Sequence, residues 1–207
     1  MEKATEENRI PTQLHPELRE AGCDEAGRGC LAGPVFAAAV ILPAAYYHPL
    51  INDSKKLKLS ERNALRTEIE ANAICFSVSS ADHKEIDKFN ILNASILAMH
   101  RALDGLMQKP EFILVDGNKF KKYKDIAHRC IIQGDGKYLN IAAASILAKT
   151  YRDEFMEGLH LQHPEYGWEK NKAYGTKDHK NAIKKFGLSD YHRLSFLKGH
   201  NQYSLDI

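Results

Sequence analysis

Acidic side chains stand where surface acids are uncommon, beside glycine or at the ends of apolar segments. These acids are Asp24, Glu25, Asp116, Asp135 and Asp153. Adjacent carboxylates repel each other unless a cation lies between them, and carboxylate oxygens are ligands that Mg²⁺ and Mn²⁺ prefer. Together, the acids at strand ends and turns predict a site for two divalent cations, which suits in-line cleavage of a phosphodiester. Taken singly, each acid also fits a turn or an ion pair.

A glycine-rich segment, Gly27-Arg28-Gly29, follows the first acidic pair. Glycine lets the backbone approach a ligand more closely than a residue with a Cβ atom does. Arg28 between the glycines fits either a phosphate contact or bracing of the neighbouring acids. The chain matches neither the phosphate loop G-x-x-x-x-G-K-[ST] nor the dinucleotide fingerprint G-x-G-x-x-G. Nucleotide-cofactor binding is therefore unsupported.

Strands are predicted to deliver these acids. Residues 23–27, 35–42 and 74–80 are typical of strands and indicate an antiparallel meander, whereas the apolar run 112–115 is typical of a buried parallel strand that ends at Asp116. Neighbouring strand residues point to opposite faces, so Asp24 and Glu25 can share a metal only where the strand ends or twists. A further strand is predicted at 129–132 and a turn at 134–136.

Helices are predicted at 60–72, 90–108, 140–160 and 176–186, the first with Ser60 as its N-cap. Residues at four-residue spacing on the third helix form a polar stripe on an otherwise apolar element, namely Ser145, Lys149 and Asp153. Such a stripe faces a site or a partner. The predicted fold class is therefore α/β, with a mixed sheet flanked by helices.

The composition indicates one domain over 1–207. Of 207 residues, 43% are hydrophobic and 27% are charged, and no repeat or linker divides them. Residues 1–18 are expected to form a loosely packed N-terminal segment. No apolar run approaches the roughly 18 residues of a membrane span, and residues 1–9 contain no apolar signal region. The four cysteines form no CxxC pair and are predicted to be reduced, so we expect a cytoplasmic protein without a membrane partner.

Basic residues concentrate in the second half of the chain. Residues 1–118 carry 13 Lys and Arg against 17 Asp and Glu, whereas residues 119–207 carry 16 against 10. Tyr174 lies among four of these lysines, an arrangement that suits a nucleic-acid groove but also a core tyrosine with solvated neighbours. Lys55 and Lys56 similarly fit either a phosphate contact or a solvated turn.

Several ordered motifs resemble those of bacterial ribonuclease HII, a type 2 RNase H family. The motifs are DEAGRGCLAGPV at 24–35, NDSKKL at 52–57, VDG at 115–117, GDGK at 134–137, AASILAK at 143–149 followed by Arg152-Asp153, AYGTK at 173–177 and HRLSF at 192–196. The resemblance implies an RNase H-like fold, with its first three strands antiparallel and the later strands parallel.

The same resemblance implies an activity and the residues that carry it. The expected reaction is metal-dependent hydrolysis of the RNA strand of RNA–DNA hybrids, and cleavage on the 5′ side of a ribonucleotide embedded in duplex DNA, leaving 3′-hydroxyl and 5′-phosphate ends. By position, Asp24, Glu25, Asp116 and Asp135 match the carboxylates that hold two Mn²⁺ or Mg²⁺ ions. Residues matching the nucleic-acid-binding set are Gly27, Arg28 and Gly29, which sense the ribose 2′-hydroxyl, Tyr174, which packs on the next sugar, and Lys55, Lys56 and Lys149. Ser145 and Asp153 match supporting residues, with Asp153 expected to bond to Lys149 or the backbone.

Two other functions remain open at this point. A nuclease or resolvase of the same broad fold would cut DNA junctions without a 2′-hydroxyl, and a non-catalytic module would bind hybrids without metal. The clustered acids oppose the second alternative, because negative charge beside phosphates weakens binding unless metals intervene. We expect a monomer. The chain ends soon after 192–196 without the C-terminal extension of some relatives, so we expect weaker or more salt-sensitive binding to duplexes.

Overall fold

The computed structural model describes residues 10–51 and 58–197. Five strands form one mixed sheet in the order β3-β2-β1-β4-β5. The strands are β1 (Glu20–Ala26), β2 (Val35–Ile41), β3 (Cys75–Ala81), β4 (Phe112–Asp116) and β5 (Ala127–Ile131). β1, β2 and β3 pair antiparallel, whereas β4 pairs parallel with β1 and with β5. The predicted combination of an antiparallel meander and a parallel pair is confirmed.

Seven helices lie in the described ranges: α1 (Leu59–Asn72), α2 (His83–Phe89), α3 (Ile91–Asp104), α4 (Leu139–Gln162), α5 (Trp168–Asn171), α6 (Lys177–Phe186) and α7 (Leu194–Leu197). Short 3₁₀ turns cover Gly134–Gly136 and Pro164–Tyr166. None of the helices within 10–51 and 58–197 has the length and apolar character needed to cross a membrane.

The sheet is covered on both faces. The side chains on one face pack with α3 residues such as Ala98 and Met99, and those on the other pack with α4 residues such as Ile146 and Leu147. The small side chains of β2 permit this double packing, since Ala37, Ala38 and Ala39 are completely buried. The four cysteines are free thiols, as predicted.

The first turn of α4 is fixed against the start of β1. Asn140 donates from Nδ2 to the carbonyl of Glu20 at 3.0 Å and accepts at Oδ1 from the backbone N–H of Leu42 at 3.1 Å. A Cβ atom on Gly22 would lie 2.2 Å from the Asn140 carbonyl carbon, so only glycine permits this approach. The contact sets where α4 passes over the strand that carries the first acids.

Several predicted boundaries differ from those observed. α1 is capped by Lys58 rather than Ser60, because the Glu61 carboxylate accepts from the Lys58 backbone N–H at 2.7 Å. The predicted helix 90–108 ends at Asp104. The loosely packed segment predicted over 1–18 is wrong for residues 10–18, because the carbonyls of Pro11 and Thr12 accept from the first residues of α4 at 2.9 and 3.0 Å.

Candidate active site

Three acids lie at the adjoining ends of two parallel strands. β1 and β4 run in register with Cys23 opposite Val115, so Asp24 and Asp116 occupy the next positions of neighbouring strands. Asp24 is buried, and Glu25 lines a cavity with Asp116 and side chains of α3. We call Asp24, Glu25 and Asp116 the acidic centre.

The acidic centre is electrostatically unfavourable without a cation. Burial raises the pKa of Asp24 well above its usual range, and the charges of Glu25 and Asp116 raise it further. Burial also raises the pKa of Glu25, although Arg28 opposes this by donating from Nη1 to Glu25 Oε1 at 2.9 Å. Oxygen ligands that repel one another suit a divalent cation, which would attract each of them. The donor set therefore fits Mg²⁺ or Mn²⁺.

Asp135, the fourth predicted ligand, is buried in the 3₁₀ turn Gly134–Gly136. This turn is tied to the acidic centre by the backbone N–H of Gly134, which donates to Asp116 Oδ1 at 2.7 Å. Within the described ranges, no three His, Cys, Asp or Glu side chains are already grouped to hold one metal ion. The four-carboxylate metal centre therefore stays a prediction that rests on the chemistry of the donors.

The polar stripe of α4 divides between two places. Lys149 Nζ donates to Ser145 Oγ at 2.8 Å, and the Ser145 hydroxyl hydrogen-bonds Asp24, so both residues support the acidic centre. Asp153 lies elsewhere, with Oδ2 3.6 Å from Arg62 Nη2. Its expected bond to Lys149 or the backbone stays a prediction. Lys55 and Lys56 lie outside the described residues.

The glycine-rich segment and Tyr174 come together although they are far apart in sequence. We call residues 27–34 the glycine loop and residues 171–174 the tyrosine turn. Cys30 and Tyr174 form an antiparallel bridge, and the Leu31 N–H donates to the Ala173 carbonyl at 2.8 Å. Tyr174 is 50% exposed. The loop, the turn and the acidic centre are thus continuous, since Arg28 also bonds to Glu25.

The two glycines that flank Arg28 meet different surroundings. Gly27 has a φ of +92°, and a Cβ atom there would lie 2.0 Å from Arg152 Nε, so the protein's own packing requires glycine. A Cβ atom on Gly29 would meet no described atom within 4 Å. Internal packing does not explain Gly29, and its open backbone is available for close approach by a ligand.

Two buried arginines, to which the sequence assigned no role, hold the glycine loop in place. Arg193 donates to the carbonyls of Arg28, Gly33 and Pro34 at 3.0, 2.9 and 3.2 Å. Arg152 donates to the carbonyls of Pro34 and Lys172 at 3.1 and 3.0 Å, which links the loop to the tyrosine turn. These side chains are 0% and 2% exposed. We call them the arginine clamp.

Comparison with known proteins identifies the family. The family model described as Ribonuclease HII matches residues 21–199. The chain belongs to the ribonuclease HII family. It is 61% identical to Ribonuclease HII of Christiangramia forsetii over 92% of this chain and 96% of that protein, and 58% identical to Ribonuclease HII of Bacteroides fragilis over 93% and 96%.

Solved structures support the same assignment. The ribonuclease H2 of Pyrococcus horikoshii OT3 superposes with a TM-score of 0.73 at 25% identity, covering 88% of this chain and 95% of that one. The RNase H-like fold predicted from the motifs is confirmed. As a ribonuclease HII, the protein is a metal-dependent endoribonuclease that degrades the RNA strand of RNA–DNA hybrids.

Proposed function

We propose that the protein also cleaves duplex DNA on the 5′ side of a single embedded ribonucleotide, leaving 3′-hydroxyl and 5′-phosphate ends. The observation that carries this proposal is the continuity of the acidic centre with the glycine loop and the half-exposed Tyr174. Hydrolysis at one ribonucleotide requires recognition of one 2′-hydroxyl, the group that distinguishes RNA from DNA. The glycine loop offers a backbone open at Gly29 for that contact, next to Glu25.

We propose that Asp24, Glu25, Asp116 and Asp135 hold two divalent cations, Mg²⁺ or Mn²⁺. When bound, such ions supply water activation and stabilisation of the leaving oxygen. The protein contributes the positions of the carboxylates: Ser145 and Lys149 orient Asp24, and the Gly134 N–H orients Asp116. Arg28 braces Glu25 at the junction with the glycine loop.

We propose that Tyr174 packs on the sugar that follows the scissile phosphate and so recognises the RNA-to-DNA junction. Its side chain is held near Cys30, and half of it is left uncovered. An exposed aromatic surface next to a nucleic-acid site stacks on bases or sugars regardless of sequence. Lys55, Lys56 and Lys149 remain proposed contributors to phosphate binding.

Three duplexes of one sequence test the proposed activity. One strand is all RNA, contains one ribonucleotide, or is all DNA, and each duplex is incubated with Mg²⁺ or Mn²⁺. We expect cleavage of the first two, with the cut in the second mapped to the 5′ side of the ribonucleotide. Cleavage of the all-DNA duplex at a similar rate would favour a nuclease that ignores the 2′-hydroxyl. Cleavage of the hybrid alone would contradict the single-ribonucleotide proposal.

We further propose that residues 1–207 form one catalytic domain that acts as a monomer in the cytoplasm. The four free thiols suit a reducing compartment. Light scattering of the purified protein should give a mass near 23.4 kDa, and a value twice that would contradict the monomer.

A further inference from the structure

The tyrosine turn has a strained backbone. Lys172 and Ala173 have φ values of +46° and +65°, so two consecutive residues with side chains adopt the left-handed region that favours glycine. Such residues raise the free energy of the folded chain and persist only where surrounding contacts fix them. The residue that directly follows is Tyr174, so its position depends on whatever holds the turn.

A buried histidine holds the turn on its far side. The Tyr174 carbonyl accepts from the Thr176 N–H at 2.8 Å and contacts His179 Nδ1 at 3.0 Å. His179 is completely buried on α6, and its Nε2 contacts both Trp168 Nε1 at 3.1 Å and His192 Nε2 at 3.2 Å. His192 in turn contacts the backbone of Ser189.

The fixed donors of this network determine both histidine tautomers. The indole N–H of Trp168 can only donate, so His179 Nε2 accepts and His179 Nδ1 carries the proton that is donated to Tyr174. The Ser189 N–H donates to His192 Nδ1 at 2.9 Å, so the proton of His192 is on Nε2 and is donated to His179. In these neutral tautomers, each ring nitrogen has a compatible partner.

We propose that His179 and His192, as this neutral pair, are positioning residues that fix Tyr174 for contact with the substrate. The proposal rests on the function proposed above for Tyr174. The two imidazoles touch no reacting group and act through the Tyr174 carbonyl. A proton added to His179 Nε2 would place donor against donor at its contacts with Trp168 and His192. A proton added to His192 Nδ1 would face the Ser189 N–H in the same way, and either change would weaken the support of the turn.

The surroundings of the pair favour its neutral form. The groups packed around it are His83 of α2, His163 after α4, Tyr166, Trp168 and Tyr191. Burial lowers the pKa of His179, and burial together with the neighbouring histidines lowers the pKa of His192 to about 4. The pair therefore stays neutral at physiological pH.

Two substitutions at one position separate support of Tyr174 from general packing. In His179→Asn the amide NH₂ replaces Nδ1 and can still donate to Tyr174, but the acceptor for Trp168 is lost. In His179→Gln the amide oxygen replaces Nε2 and can still accept from Trp168, but the donor to Tyr174 is lost. Trp168 is the chain's only tryptophan, so its fluorescence reports the second contact directly.

We expect His179→Gln to lower kcat/KM on the single-ribonucleotide duplex by about fivefold, the value of one hydrogen bond, while Trp168 fluorescence stays close to that of the parent protein. His179→Asn should change the fluorescence and retain more of this activity. Because the effect passes through Tyr174, the double variant Tyr174→Ala with His179→Gln should be no less active than Tyr174→Ala alone.

Equal losses in the two His179 variants, or additive losses in the double variant, would overturn the proposal. If Tyr174→Ala itself has no effect, the proposed function of Tyr174 fails instead, which keeps the two failures distinct. If the variants do not fold, the parent protein supplies the test: as pH falls from 6 towards 4, the ratio of single-ribonucleotide to hybrid cleavage should fall together with Trp168 fluorescence. Taking the ratio removes the effect of carboxylate protonation, because cleavage of both substrates depends on the same carboxylates. A constant ratio during a fluorescence change would overturn the proposal.

Discussion

The acidic centre and the tyrosine turn each contain an arrangement that destabilises the folded chain, and the two are compensated in different ways. At the acidic centre, buried carboxylates repel one another, and the stabilising contacts from Arg28, Ser145 and Lys149 leave the pKa values of Asp24 and Glu25 raised. At the tyrosine turn, strained φ values are balanced by contacts from the arginine clamp and His179. In the function that we propose, the acidic centre is stabilised by bound cations, whereas the tyrosine turn is already held in place by the protein's own contacts.

The largest effect is expected from Asp116→Asn. Asparagine can still accept from the Gly134 N–H, but it removes one charge of the acidic centre. Since metal ions supply several kcal/mol in such reactions, cleavage of every substrate should fall by on the order of a thousandfold or more. Thermal unfolding of the metal-free protein should show unchanged or higher stability, because a repulsion is lost. Near-parental turnover would contradict the metal assignment.

A smaller and selective effect is expected from Tyr174→Ala. Stacking on an aromatic ring contributes about 1–3 kcal/mol, so kcat/KM on the single-ribonucleotide duplex should fall by about five- to a hundredfold. The all-RNA strand should lose less, because it offers many alternative positions. Tyr174→Phe is the matched control and should retain most of the activity. Equal losses on both substrates would mean that Tyr174 has only a structural role.

The two glycines of the glycine loop should respond in opposite ways. Gly27→Ala places a Cβ atom on Arg152 at a φ of +92°, so we expect a loss of about 2 kcal/mol or more in unfolding free energy. Gly29→Ala meets open space and should leave stability within about 0.5 kcal/mol. Activity should nevertheless fall in Gly29→Ala if the ribose approaches there. Full activity of a stable Gly29→Ala protein would contradict that contact.

The smallest effects are expected from pH acting on the free energy of unfolding, and the sign of the effect differs between the acidic centre and the histidine pair beside the tyrosine turn. The lowered pKa values of His179 and His192 mean that the unfolded chain binds protons first, so stability from this pair is lost as pH falls from 6.5 towards 4. The raised pKa values of Asp24 and Glu25 mean that the folded chain binds protons first there, so acidification towards their ordinary values relieves the acidic centre.

Urea unfolding of the metal-free protein against pH checks both signs. Asp24→Asn should steepen the loss of stability on acidification, because it removes the carboxylate whose protonation relieves the acidic centre. His192→Gln should make the loss below pH 6.5 smaller. Adding Mg²⁺ at neutral pH should raise the melting temperature of the parent protein more than that of Asp116→Asn. Identical pH profiles for the parent protein, Asp24→Asn and His192→Gln would contradict this account.

The acids could be located from sequence because their positions follow local rules. Asp116 directly follows a short apolar run, and Asp24 lies just before a glycine-rich turn, so strand ends could be predicted for both. α2 was missed because its seven residues bury only Ile86 and show no period; the capping pair Asp82 and Glu85 was the available signal.

The arginine clamp could not be predicted from local sequence rules. Arg152 and Arg193 contact carbonyls of the glycine loop that lie 118 to 165 positions away, and backbone carbonyls have no signature in the sequence. The sequence does not distinguish a buried arginine from a surface arginine, and only the tertiary structure does. The histidine pair likewise has no signature in the sequence, because its partners come from different elements.

The sequence separation of the arginine clamp has a consequence for biosynthesis. β1 leaves the ribosome early, but the carbonyl of Arg28 is bound by Arg193, 165 positions later. Domains form during synthesis only when their distant contacts are available. A nascent chain therefore carries its first acids long before the loop beside them is fixed. The surface that we propose to recognise the substrate is completed late in synthesis, so we expect ribosome-bound chains to lack selective cleavage until residue 193 has emerged.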